Sequence, residues 1–418
     1  MKTFIVLQNI VTFRADWQRL AAPGQYALCL LTGEQGWANL SDAQKACFDR
    51  IDICHPYDQT RLEQACRTLL QERHLSDMDE VRILTNDEYF LGHAALLRER
   101  FSIPGPDHAA TLPFINKLRM KEVMSKGEVP VPRAVPFLPE RLKQEGEDYC
   151  RELAEHLGFP IFAKQVDSAG SERIAKLTDA TALALWCRQH AGVSNYELDE
   201  FLDGDLYHVD ALVYRGEVRS LYLCRYSHPN AEFINGKPVG SLPLSPEDPL
   251  HARLVAFNHQ VFRALGQVPD GATHLELFHT RDDRLVFLEI AARAPGGWIP
   301  QMHARCSGRN IEEQHFLAQM GRLPPPDLET GEVAAWVWYP QRPGQHAHTR
   351  HPLPLQSQHQ ASWEVAHGAP LIQPQSVRDR IGGVLLWSRS RALLEADFRW
   401  LVEEFCPYQA AKEQETQP

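Results

Sequence analysis

The chain has 418 residues, 44% apolar and 23% charged, a globular composition with room for about two to four domains. No apolar run is long enough to span a bilayer, and the opening apolar stretch stops at Gln8-Asn9, short of a secretory signal's core. The expectation is a cytoplasmic protein with no membrane partner. A net charge of −11 argues against a nucleic-acid partner while leaving room for a local basic pocket. None of the nine cysteines forms a Cys-x-x-Cys pair, which fits reduced, buried thiols rather than a disulfide or zinc framework.

Short apolar runs at 3–7, 26–31, 51–54 and 81–85 alternate with helical spacing at 61–73 and 87–100. This alternation predicts a parallel α/β unit over residues 1–112. No Gly-x-Gly-x-x-Gly follows the first run, so a dinucleotide site is not expected there. A second region, 113–325, opens with a basic amphipathic helix around Asn116-Lys117. The strand-like run 159–166 carries Lys164 among apolar residues, where an unpaired ammonium is costly and a phosphate would relieve the cost. Ser168, Ala169, Gly170 and Ser171 follow, small residues whose backbone N–H groups suit an anion nest. The chain leaves another strand at Glu200, Phe201 and Leu202, where backbone N–H and C=O could meet an adenine edge. A hairpin turning at Arg215-Gly216, a Pro/Gly/Asn-rich loop over 228–246 expected to face substrate, and a helix over 251–265 come next.

Residues 273–297 are the most informative stretch, two alternating strands joined by a charged turn. A turn centred on Asp282-Asp283 sets Glu276 opposite Glu289, with Leu275, Leu277, Val286, Leu288 and Ile290 on the other face. Like charges opposite each other weaken a strand pair, so two carboxylates roughly 5 Å apart make sense around a hard divalent cation. Arg293 lies four residues past Glu289, before the Pro295-Gly296-Gly297 break, and a guanidinium beside a cation suits a phosphate in transfer. Arg225, Gly296 and Gly297 fall in the region expected to approach substrate, and Arg225 suits a carboxylate. A helix at 310–320, strand-like pieces at 333–339 and 383–387 and a closing helix at 391–405 follow. Residues 326–408 read as a smaller appended lobe, and 409–418 as a disordered tail.

In this order and spacing the segments resemble the ATP-grasp superfamily, and within it carboxylate–amine ligases similar to the bacterial L-amino-acid ligases. The carrying parts are Asn116-Lys117, Lys164 with its small-residue loop, Glu200-Phe201-Leu202-Asp203-Gly204, His274-Leu275-Glu276 and Glu289-Ile290-Ala291-Ala292-Arg293. The resemblance implies an α/β protein with a two-lobed α+β ATP-grasp core, its small lobe about 125–204, using ATP and Mg²⁺, with Mn²⁺ as a substitute. It implies that Lys117 and Lys164 contact the ATP phosphates, that 168–171 cover them, and that Glu200 to Leu202 hold adenine. Glu276 and Glu289 would bind the metal and Arg293 would steady the transferred phosphoryl group. Two positions depart from the family pattern: Ala291 stands where many members carry Asn, and Leu206 stands at the usual ribose carboxylate, leaving Asp205 as the nearest substitute. The implied activity joins a small-molecule acid to an amine through an acyl phosphate, forming an amide or peptide bond and releasing ADP and phosphate. A homodimer is the commonest soluble assembly. The alternatives are a carboxylase-like or purine-pathway ligase, and an ATP-binding regulatory module without turnover.

Overall fold

The computed structural model describes residues 1–167 and 174–410. Strands β1 (Thr3–Leu7), β2 (Ala27–Thr32), β3 (Arg50–Ile53) and β4 (Val81–Thr85) form a parallel sheet in the order β3-β2-β1-β4. Its strands are continuous apolar runs because both faces are covered. Ile5, Leu7 and Ile83 pack with the helices Gln59–Glu72 and Leu91–Phe101, while Phe4, Val6 and Leu30 pack with Trp17 and with Phe316 from far along the chain. Strand order reverses at β1, with β2 on one side and β4 on the other. The loops after β1 and β4 therefore diverge, and ligands bind in such a crevice in open α/β sheets.

A small antiparallel sheet follows, β5 (Ala134–Pro136), β6 (Ile161–Gln165), β7 (Ala175–Leu177) and β8 (Tyr196–Glu200), in the order β5-β8-β6-β7. Alternation decides its faces: Ile161, Ala163, Tyr196 and Leu198 pack under the helices Glu147–Leu157 and Ala180–Gln189. Lys164, Glu197 and Asp199 therefore share the opposite face.

The third sheet has eight strands. Its members β9 (Gly204–Tyr214), β10 (Glu217–Tyr226), β11 (Val239–Pro243), β12 (Gly271–Thr280), β13 (Leu285–Ala291) and β14 (Val333–Pro340) are joined by two strands from near the C-terminus. A separate short pair, β15 (Gln345–Ala347) and β18 (Tyr408–Ala410), flanks β16 (Gln358–Trp363) and β17 (Arg380–Ser388) in sequence. The order is β13-β12-β9-β10-β11-β14-β17-β16. Helices Lys117–Lys126 and Pro249–Leu265 cover one face through Met120, Phe257, Val209, Leu275 and Leu277. The other face presents Leu206, Tyr226 and Phe278 together with the polar residues of the site.

Four expectations change. The hairpin register is as expected up to Glu276↔Glu289, but a bulge follows and Leu277 pairs with Phe287. Leu288 and Glu289 thus stand against one residue, so Phe287 takes the helix-covered face while Leu288 turns to the pocket beside Glu276. The loop 228–246 contains β11, whose pairing with β10 and β14 carries the sheet into the C-terminal residues, so these are bonded into the large sheet rather than appended. An unforeseen helix, Ile299–Ser307, fills the turn after Gly297. The tail expected to be free from Gln409 begins in strand β18, and residues 411–418 lie outside the described ones.

Gly127 tests the packing under the large sheet. A Cβ there would run into the Ala264 side chain and lie 2.9 Å from its Cα, whereas a Cβ on Gly192 meets nothing within 4 Å. Overpacking predicts that Gly127→Ala lowers stability by about 1–3 kcal/mol and Gly192→Ala does not, read as urea midpoints at unchanged slope.

Candidate active site

The register places Glu276 directly opposite Glu289, on the face of the large sheet away from helices Lys117–Lys126 and Pro249–Leu265. Only 6% of Glu276 is exposed, against 30% of the Glu289 side chain, so water reaches the pair only from the Glu289 side. The repulsion is relieved by donors: Asn230 Nδ2 gives a 3.0 Å hydrogen bond to Glu276 Oε1, His274 Nε2 lies 3.3 Å from the same oxygen, and Lys117 Nζ is 3.5 Å from Glu289 Oε2. Burial by itself would raise the Glu276 carboxyl, but His274, together with Tyr226 and His208, outweighs it and holds the group below its ordinary value. Behind them Asp210 accepts from His274 Nδ1 at 2.6 Å, His208 Nδ1 at 2.9 Å and His303 Nε2 at 2.7 Å, all buried. Against its burial, Asp210 pushes the His274 imidazolium up to about 9, so an Asp–His⁺–Glu chain backs the carboxylate pair. His208, Asp210 and His274 are near enough to share a metal, but their facing atoms are engaged in N–H···O bonds, and we assign them to this network.

Lys164 is not the unpaired ammonium that its apolar strand suggests. Its Nζ lies 2.9 Å from Asp199 Oδ2 and 3.4 Å from Glu197 Oε1, across the small sheet where Lys164 and Glu197 are register partners. Lys121, one helical turn past Lys117, donates to Glu197 at 2.6 Å and to both Asp199 oxygens at 2.8 Å. Burial opposes charge on each lysine. For Lys164 the surrounding carboxylates win and raise it, while Lys121 stays below its ordinary value. Asp199 is held low by the two lysines despite burial. Sequence reasoning missed Lys121, Glu197 and Asp199; the available signals were the i, i+4 spacing from Lys117 and the i, i+2 spacing on one strand face.

These groups open onto a cavity of about 130 Å³ between the small and large sheets, lined by Lys117, Lys164, Glu200, Phe201, Leu202, Glu276 and Glu289. Apolar walls come from Phe162, Ile174, Leu206, Phe278 and Leu288. The Glu200 carboxylate is taken by Arg133, through its N–H at 2.9 Å and Nε at 2.8 Å, and the Glu200 N–H donates back to Arg133 O at 2.9 Å, which fixes the segment that lines the cavity. The Phe201 N–H donates to Pro160 O at 3.2 Å, and the Leu202 N–H donates to no backbone carbonyl among the described residues. Ser168, Ala169, Gly170 and Ser171 lie outside the described residues.

Arg293 lines a second, adjoining cavity of about 120 Å³ with Glu276, Glu289, Gly296 and Gly297. Its guanidinium is clamped by Glu88 from the loop after β4, Nε at 2.8 Å and Nη2 at 2.6 Å, and the neighbouring Ala294 N–H donates to Asn86 Oδ1 at 2.7 Å. The crevice of the first sheet thus meets the large sheet at Arg293. Two expected residues fall elsewhere. Leu206 lines the first cavity, so strand alternation turns Asp205 to the other face, where it pairs with Arg225 at 3.1 Å and Arg281 at 3.7 Å. Arg225 is therefore not available to a substrate on the site face; Tyr226 is the residue of that strand that reaches the second cavity. Glu232, in the loop expected to face substrate, lines the first cavity.

No protein-family model matches the chain. It is similar to the L-arginine-specific L-amino acid ligase of Bacillus subtilis, 24% identical over 316 residues, 72% of this chain and 73% of that one. It is also similar to dapdiamide A synthase of Enterobacter agglomerans, 26% identical over 205 residues, 47% of this chain and 46% of that one. Among solved structures, an L-amino acid ligase from Bacillus licheniformis superposes with a TM-score of 0.69 at 17% identity, covering 96% of this chain and 97% of that one. N5-carboxyaminoimidazole ribonucleotide synthetase from Thermotoga maritima gives 0.64 at 14%, covering 99% and 100%. The fold is the ATP-grasp fold, and the relatives and solved structures that the chain resembles are named as ligases and synthetases.

The lysine–carboxylate cluster gives a stability test. Lys121→Met strands Glu197 and Asp199 in the interior with one cation, and breaking such a buried pair costs about 3–5 kcal/mol, measured by urea unfolding at pH 7. Because the folded Asp199 carboxyl is depressed, its contribution is present above the unfolded value near ~4 and is lost as pH falls through the folded value. With one cation gone the folded value rises, so the acid-induced loss sets in at higher pH in the variant.

Proposed function

We propose that this chain activates the carboxylate of an amino acid with ATP and joins it to an amine, forming an amide or peptide bond through an acyl phosphate. The observation that carries this reading is the position of Glu276 and Glu289, which line both cavities, with Arg293 clamped beside them. A carboxylate is a poor electrophile because its leaving group would be oxide. Phosphorylation converts that leaving group to phosphate, which an amine can displace.

In this reading the adenine lies in the apolar slot between Phe162 and Leu288 and takes its polar contacts from the backbone of Glu200 to Leu202. Glu232 replaces the absent carboxylate at Leu206 for the ribose. Lys117 and Lys164 meet the phosphates, Lys164 held in position by Asp199 and Glu197. The donor set of two facing, partly desolvated carboxylates fits a hard divalent cation, with Mg²⁺ favoured over Mn²⁺ as the ordinary companion of ATP. Bound there, the ion would offset the charge on the transferring phosphoryl group. Arg293, whose orientation is set by Glu88, takes the remaining charge on that group and on the acyl phosphate. The small sheet and its lysines close the first cavity over the nucleotide and keep water from the acyl phosphate. The 1–112, 113–325 and 326–408 divisions then describe an N-terminal unit that completes the acid site, the nucleotide-binding core, and strands that wall the second cavity.

The test is release of ADP and phosphate with Mg²⁺ across amino acids and their pairs, with products identified by mass spectrometry. Glu289→Gln and Arg293→Met are each expected to lower the rate by at least ~10²-fold, the usual loss when a group stabilising transition-state charge is removed. ATP hydrolysis without any condensed product from the whole panel would refute the assignment.

A further inference from the structure

The second cavity is chemically two-sided. Glu276, Glu289 and Arg293 stand on one side, and Val239, Ile299, Trp336, Trp338 and Val377 form the other. The wall is built by register: Val239 pairs with Trp338 and Ser241 with Trp336 across β11 and β14, so both indoles emerge on the site face beside Val239. The rings are fixed by edge-on contacts, Trp336–Trp338 at 5.0 Å and Trp298–Trp338 at 5.9 Å, and Arg380 caps Trp338 with its Cζ 4.0 Å from the ring centroid. Gly297 closes against the same indoles, at φ +64, where a Cβ would lie 3.5 Å from Trp336. Among the described residues, the only carboxylates lining this cavity are the paired Glu276 and Glu289.

Arg293 and His274 are the cationic groups that line it. Arg380, paired with Glu364 at 2.6 Å, sits on Trp338, and Arg14, from the loop after β1, has a buried Nη1 without a hydrogen-bond partner among the described residues. Burial above all, and then the charges of Arg380 and Arg293, disfavour the Arg14 cation, although Glu312 supports it. A cationic side chain entering this cavity would find like charges and no free carboxylate. An acid with an apolar side chain would find an apolar wall, with Arg293 beside its carboxylate.

We infer that the acid activated by this chain is an amino acid with an apolar side chain, leucine-, methionine- or phenylalanine-like, seated against Trp336 and Trp338, and that arginine and lysine are excluded. This rests on the ligase reading above. It also sets the chain apart from its arginine-specific relative.

The activated residue becomes the N-terminal residue of a dipeptide product, so pairwise amino-acid reactions read by tandem mass spectrometry identify it directly. The expected products carry apolar residues at that position, with kcat/KM at least ~10-fold higher for the best apolar acid than for arginine, a ratio typical of pocket discrimination. Val377→Asp, in a loop of the wall, is expected to lower the apolar-to-arginine ratio at least ~10-fold while ATP affinity, measured by calorimetry with a non-hydrolysable analogue, stays the same. If condensation occurs but arginine or lysine serves as well as leucine at the N-terminal position, or the variant condenses amino acids at an unchanged ratio, the pocket assignment is overturned and the ligase reading stands. If no acid and amine pair releases ADP, the ligase reading falls and this inference falls with it.

Discussion

The structure depends on two carboxylates being forced to face each other inside the protein. Register fixes Glu276 against Glu289, and a strand pair would not tolerate that repulsion without compensation. The molecule supplies it from three directions. His274, made cationic by Asp210, comes from the same strand, Lys117 from the helix that crosses the far face, and Asn230 from the loop before β11. Each compensating group belongs to a different element, so the positions of those elements are tied to one local electrostatic problem. A cation between the two carboxylates would solve it more fully than any of the three, which is why the pair reads as a site and not as a flaw.

A second constraint is burial of charge beside the first cavity. Lys121, Lys164, Glu197 and Asp199 are nearly inaccessible to solvent. Two cations and two carboxylates balance, and Lys164 is thereby held on the small sheet. Replacing either lysine by a neutral residue would leave net negative charge beside the cavity proposed for the nucleotide. The same logic recurs at Arg293, where Glu88 orients the guanidinium from the first sheet. An ion pair bridging two units of the fold makes the geometry of the transfer site depend on how those units dock.

Much of this was legible because strand alternation and short motifs are local. The four parallel strands and the facing glutamates follow from spacing within a few residues, whereas Lys117, Lys164 and the segment at Glu200 stand out only when the motifs are taken together in order, as the family resemblance takes them. What escaped needs long-range information. Nothing in the sequence near Arg293 points to Glu88, some two hundred residues earlier, and nothing near Lys121 announces Asp199. Asp205 was a different kind of miss, since choosing the nearest carboxylate overlooked that a one-residue shift along a strand reverses the face. Leu288 was misplaced because a bulge, which the alternating pattern does not reveal, inserts one residue and turns it to the pocket.

The bulge also explains how the two cavities can be separate and yet share their chemistry. With Leu288 and Glu289 both set against Glu276, the strand presents an apolar residue to the nucleotide slot and, next to it, a carboxylate that reaches both slots. In a regular ladder Leu288 would face the helices, leaving the carboxylates without an apolar shoulder on the nucleotide side. On the acid side the corresponding shoulder comes from Trp336 and Trp338, carried in by the pairing of β11 with β14. The nucleotide wall is thus a feature of the core hairpin, whereas the acid wall is supplied by later strands. Under the proposed reading, changes in those strands alter which acid fits without touching the groups assigned to hold and transfer the phosphate.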